Sequence, residues 1–163
     1  MGVGKTTIGQ LVAQKTGKSF FDLDEIISKQ EGKSIPELFA SRGEIYFRKR
    51  EHQVLQEILA TQSNIVLSLG GGTPCYANNH LLYQREDCFS IYLKASLVLL
   101  TSRLEQERGL RPLLQHLEND SLSEFIAKQL FERSFYYNQS NCIVAVDDKS
   151  PDAIWAAIQP NLI

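Results

Sequence analysis

The run Gly2-Val3-Gly4-Lys5-Thr6-Thr7 holds the residue types that bind polyphosphates. Glycines let consecutive backbone N–H groups turn inward around phosphate oxygens at a helix N-terminus. A lysine adds a point charge there, and a hydroxyl beside it can hold magnesium. Lys5 would reach the β- and γ-phosphates of ATP and Thr6 would bind Mg2+, with Gly2, Val3, Gly4 and Thr7 completing the cradle. This is the back half of a Walker A loop. The full pattern, G-x-x-x-x-G-K-[ST], asks for a further glycine and a preceding buried strand, both upstream of Met1, so the first strand of the sheet is expected to be missing from the chain.

A second group of candidates is acidic. Asp22 and Asp24 flank Leu23 at the end of a short apolar run. Side chains alternate along a strand, but a strand end can bend both toward one site. One aspartate could hold the metal through water while the other accepts a substrate hydroxyl proton; alternatively, one of them caps the helix that follows.

A third group is basic. Arg48 and Glu51 share one helical face, and Arg133 lies far along the chain on another helix of similar character. Gly70-Gly71-Gly72 exposes backbone donors where an oxygen-rich ligand would sit, and a guanidinium fork matches a carboxylate, so the substrate is expected to be anionic. Arg111 precedes Pro112 in a charged stretch and could swing over the phosphates, while Arg103 could lie flat against adenine. His52, His80 and His116 show no ligand spacing and read as surface or core residues.

The elements that must position these groups follow from periodicity and punctuation. A helix should begin near Lys5 and end at Gly17, with a strand from Phe20 through Leu23 and a helix closing at Gly32. Ser34-Ile35-Pro36-Glu37 reads as a capping box opening the next helix, and Glu44 to Leu59 as a long amphipathic one. A helical insertion over about residues 25–60 is therefore expected to bind substrate. Ile65 to Leu69 reads as a buried strand feeding the glycines, Cys88 to Leu93 and Cys142 to Val146 as further strands, and Ser96 to Arg103 as a helix. A last helix should open at Ser150-Pro151. Residues 105–121 read as a mobile loop long enough to serve as a lid. Strands alternating with helices predict an α/β fold with a parallel sheet covered on both faces, ligands gathering at the carboxyl ends of the strands.

Composition bounds the rest. A chain of 163 residues suits a single domain spanning 1–163. Its 17 basic and 19 acidic residues give a net charge of −2, so no large basic surface is available for nucleic acid. The three cysteines, Cys75, Cys88 and Cys142, are odd in number and widely spaced. They read as buried thiols in a reducing cytoplasm, not as a disulfide framework or zinc site. No apolar run approaches the roughly 20 residues that cross a bilayer, and no charged-then-apolar leader opens the chain. A cytoplasmic monomer acting on a small molecule is expected.

Taken in order, Met1-Gly2-Val3-Gly4-Lys5-Thr6-Thr7, Asp22-Leu23-Asp24, Gly43-Glu44-Ile45-Tyr46-Phe47-Arg48, Leu67-Ser68-Leu69-Gly70-Gly71-Gly72, Leu110-Arg111-Pro112-Leu113 and Glu132-Arg133-Ser134 resemble the shikimate kinase family over nearly the whole chain. The resemblance implies a three-layer P-loop kinase fold of the nucleoside-monophosphate-kinase type. It also implies ATP-dependent phosphorylation of the 3-hydroxyl of shikimate on the route to aromatic amino acids. Asp24 looks like the aspartate that meets the shikimate hydroxyl as base, and Asp22 like the one near magnesium. Arg48 and Arg133 correspond to the arginines on the substrate carboxylate, with Gly70, Gly71 and Gly72 lining the same pocket. Arg111 matches the lid arginine, Arg103 the adenine-stacking one, and Pro151 the adenine-loop proline. Two alternatives stay open: another small-molecule kinase of this architecture, such as a gluconate or nucleoside-monophosphate kinase, and a family-like protein that binds without turnover because its phosphate loop is short.

Overall fold

The computed structural model describes residues 2–106 and 119–162, with side chains from residue 122 onward in the second stretch. The chain forms two compact units, one of residues 5–88 and the other of residues 1–4 with 89–163.

In the first unit, α1 (Lys5–Thr16) buries Ile8, Val12 and Ala13. It stops where Gly17 turns left-handed at φ 67°, and the N–H groups of Gly17 and Lys18 donate back to Gln14 and Ala13 at 3.4 and 2.9 Å. That pair of bonds satisfies two of the carbonyls a helix end leaves open. Strand β1 (Ser19–Asp22) runs parallel to β2 (Ile65–Ser68), with Ser19 opposite Ile65 and Asp22 opposite Ser68. A Cβ on Gly9 would meet the Phe20 ring at 2.5 Å, so the glycine lets α1 lie close against β1.

The strand expected to continue through Leu23 ends at Asp22. The Asp22 carboxylate accepts the Asp24 N–H at 3.0 Å, which makes Asp22 the N-cap of α2 (Leu23–Glu31) and places Asp24 in that helix's first turn. Helix α2 closes at Gly32 (φ 62°), as the sequence indicates. The capping box at Ser34 and Glu37 also forms, with Ser34 N donating to Glu37 Oε2 at 2.8 Å. Helix α3 (Ile35–Thr61) is interrupted at Gly43, whose φ of 80° and ψ of 170° separate the capped first part from the amphipathic part after it. Leu23 and Ile27 of α2 pack with Leu38, Phe47, Val54, Leu55 and Ile58 of α3 as the core that fixes these helices together. After β2 the chain passes through the glycines into a 3₁₀ turn (Thr73–Cys75) and the short α4 (Asn79–Leu82).

In the second unit β3 (Ile91–Lys94) pairs parallel with β4 (Cys142–Ala145), Ile91 opposite Cys142. Strand β3 starts and ends later than expected; ahead of it, the Ser90 N–H donates to Asn141 Oδ1 at 2.9 Å instead of to a ladder carbonyl. Helix α5 (Leu97–Gln106) follows Ser96, whose hydroxyl accepts the Leu99 N–H at 3.1 Å as a cap. Helices α6 (Asn119–Tyr137) and α7 (Pro151–Ile158) complete the unit, α7 opening as expected at Ser150, whose hydroxyl accepts from Ala153 at 3.2 Å. Of the loop expected over 105–121, residues 105 and 106 belong to α5, 119–121 to α6, and 107–118 lie outside the described residues. Cys142 is buried, whereas Cys75 and Cys88 are only half-buried, a correction to the expectation of three buried thiols. Among the described residues no helix is long and apolar enough to cross a membrane.

Candidate active site

The first turn of α1 carries Lys5, Thr6 and Thr7, and the loop before it bends through Gly2 and Gly4 at φ 68° and 92°, backbone that glycine adopts freely. In the second unit, Arg103 Nη1 donates to the carbonyls of Gly2 and Val3 at 3.1 and 3.2 Å. A trans peptide puts C=O and the following N–H on opposite sides, so the N–H groups of Val3 and Gly4 point away from that guanidinium. An arginine expected near adenine thus also fixes which way the loop's donors face.

Within the first unit, three oxygens converge on Gly70. A Cβ there would lie 3.0 Å from Thr73 Oγ1 and 3.4 Å from both Asp24 Oδ1 and Glu51 Oε1. A side chain there would have to push these oxygens back by a few tenths of an ångström, and the Asp24 and Glu51 carboxylates repel each other. Burial, then Asp22, then Glu51 push the Asp24 pKa up to about 6, with Lys5 and Arg48 pulling the other way. A carboxylate whose pKa lies near working pH is suited to general-base chemistry.

Gly72 sits against Arg48, since a Cβ on it would meet Arg48 Nη2 at 2.6 Å. The guanidinium is held by Glu51 Oε2 at 2.9 Å and Glu44 Oε1 at 3.4 Å, and the Tyr76 ring stacks 4.3 Å from it. Burial works against its charge, but Glu51, Tyr76 and Glu44 together more than offset this and the Arg48 pKa is raised. The structure therefore brings Asp24, Arg48, Gly70 and Gly72 together as the sequence indicates, and adds Glu51 and Thr73 between them. Arg133 lies on α6 and donates to Gln129 one turn earlier. Pro151 is the exposed first residue of α7. Arg111 and His116 lie outside the described residues.

Magnesium can be tested against this arrangement. The ion prefers one or two carboxylates, hydroxyls, phosphates and several waters over a cage of protein ligands. Among the described residues no group of three or more His, Cys, Asp or Glu could hold a metal. Ser68, opposite Asp22 in the β1–β2 register, has a buried hydroxyl with no hydrogen-bond partner among the described residues. A partnerless buried hydroxyl beside a carboxylate, at the strand ends and on the same unit as Thr6, fits a hydrated magnesium.

Sequence reasoning passed over Ser68, Thr73 and Asn79. Ser68 and Thr73 flank the glycines it singled out, so position next to that loop was the available signal. Asn79 gave none.

A family model described as shikimate kinase matches residues 1–162. The shikimate kinase of Flavobacterium johnsoniae is 51% identical over 152 residues, covering 93% of this chain and 88% of that protein. That of Flavobacterium psychrophilum is 47% identical over 151 residues, with the same shares covered. Among solved structures, the shikimate kinase of Bacteroides thetaiotaomicron superposes with a TM-score of 0.88 at 35% identity, covering 98% of this chain and 90% of the other. The shikimate kinase of Acinetobacter baumannii, solved in complex with shikimate, superposes with a TM-score of 0.87 at 30% identity, covering 99% and 88%. The fold is accordingly that of the P-loop kinases, and the chain belongs to the shikimate kinase family.

Proposed function

We propose that the chain transfers the γ-phosphoryl group of ATP to the 3-hydroxyl of shikimate, giving shikimate 3-phosphate and ADP. The observation that carries this reading is Asp24, a carboxylate lifted to about 6 beside Gly70 of the same glycine loop whose Gly72 meets the Arg48 guanidinium. A hydroxyl acceptor needs such a base, and an acceptor bearing a carboxylate needs such a cation.

In the reaction Asp24 takes the proton of the acceptor hydroxyl as its oxygen bonds to phosphorus, and the bond from phosphorus to the ADP oxygen breaks in line. Arg48 and, by family membership, Arg133 bind the shikimate carboxylate, with Gly70, Gly71 and Gly72 lining that end. Gly2, Val3, Gly4, Lys5, Thr6 and Thr7 hold the triphosphate. Lys5 and Arg111 neutralise charge on the migrating group, and Arg103 and Pro151 border adenine. Thr6, water-linked Asp22 and Ser68 would hold magnesium, which supplies further neutralisation of the phosphate oxygens. Orientation of two bound substrates accounts for most of the rate gain.

The test is ADP release with magnesium and ATP against a panel of shikimate, gluconate and nucleoside monophosphates. Turnover with shikimate alone is expected. Equal or greater turnover with gluconate or a nucleotide would overturn the assignment, and so would shikimate binding without turnover.

A further inference from the structure

The network behind Arg48 extends one residue past the glycines. Thr73 is fully buried and donates its hydroxyl to Glu51 Oε1 at 2.6 Å. Its N–H donates to the Gly70 carbonyl at 3.1 Å, and its own carbonyl accepts from Asn79 Nδ2 at 2.8 Å. Asn79 is likewise fully buried, with Oδ1 2.6 Å from His52 Nδ1 on α3. Glu51 has no exposure and gives its other oxygen to Arg48 Nη1 at 2.9 Å.

A buried carboxylate must have donors on both oxygens or it becomes a costly orphan. Here one oxygen faces a charged fork and the other a hydroxyl, and the geometry leaves Glu51 a single orientation. That orientation dictates which edge of the guanidinium faces Gly72 and which is spent on Glu51. We infer that Thr73 is a positioning residue for the acceptor's carboxylate: by locking Glu51 it presents Arg48 Nη2 at the glycine loop. Thr73 itself touches neither substrate. The inference rests on the reading that Arg48 binds the acceptor anion.

Three properties distinguish this from plain core packing. The hydroxyl, not the methyl, carries the effect; it falls on acceptor binding and not on ATP; and it is transmitted through Arg48. Steady-state kinetics with shikimate and ATP varied separately would be measured for Thr73→Val, Thr73→Ala, Thr73→Ser, Arg48→Lys and Thr73→Val with Arg48→Lys, each checked for folding by circular dichroism. Loss of a hydrogen bond to a charged group predicts about a tenfold rise in KM for shikimate in Thr73→Val and Thr73→Ala. The KM for ATP should stay within about twofold, Thr73→Ser should match wild type, and the double variant should be no worse than Arg48→Lys alone, the signature of residues acting through one another.

Arg48→Lys raising the shikimate KM while both Thr73 variants leave it unchanged would overturn the inference and keep the Arg48 reading. Arg48→Lys leaving it unchanged would overturn that reading itself. Failure of both Thr73→Val and Thr73→Ala to fold, with Thr73→Ser folded, would assign the hydroxyl to stability and also overturn the positioning role.

Discussion

Asp24 is asked to carry charge beside Asp22 and Glu51, and burial adds to that repulsion, so its pKa rises from 3.8 to about 6. Between those values the folded chain binds more protons than the unfolded one, which makes stability fall as pH rises through that window and stay reduced above it. Replacing Asp24 by asparagine removes the charge. Denaturant unfolding should show Asp24→Asn about 1–3 kcal/mol more stable than wild type at pH 7.5, with the difference vanishing below about pH 4. If Asp24 is the base, as proposed, it would set the acid limb of activity: kcat/KM for shikimate should rise with pH through about 6 in the wild type, and Asp24→Asn should lose most of its turnover. A stability advantage of the variant over wild type no larger at pH 7.5 than at pH 4 would show that the carboxylate is not strained. At this scale the Gly2–Thr7 loop and the helix it opens were legible in the sequence, because the motif sets glycine, lysine and hydroxyl in one contiguous run at a helix start. The Arg48–Glu51–Thr73 network was legible only in part. Arg48 and Glu51 are one helical turn apart, but Thr73 joins them from 22 residues away, a contact that only tertiary folding creates.

Gly43 shows what an element contributes. Its φ of 80° with ψ of 170° is backbone that glycine alone tolerates, and it redirects the chain between the capped start of α3 and the part carrying Arg48 and Glu51. Gly43→Ala should cost about 1–3 kcal/mol by thermal or denaturant unfolding and raise the KM for shikimate more than that for ATP. An alanine variant of wild-type stability would mean the helix absorbs the change. Helix ends were the most legible elements because their chemistry is local: Gly17, Gly32 and the Ser34–Glu37 box each stop or start a helix as read. The end of β1 was not, because either Asp22 or Asp24 could serve as the cap of the helix that follows. The Asp22 carboxylate bonding to the Asp24 N–H decided for the helix, and that choice lifts Asp24 out of strand alternation into a first turn facing Gly70.

For the whole molecule, alternating strands and helices foretold parallel pairing, and both strand pairs are parallel. The net charge of −2 leaves recognition to local clusters instead of a broad field. One such cluster surrounds Arg48, a half-buried cation set against aromatic rings and beside Gly72 of the glycine loop. Recognition of an anionic acceptor should therefore depend on that one guanidinium more than on ionic strength. Calorimetric titration of the full chain with shikimate at pH 7.5, beside Arg48→Ala, addresses this directly. The wild type should bind one molecule per chain and Arg48→Ala at least about tenfold more weakly; equal affinity in the two proteins would contradict the placement of the acceptor at this site.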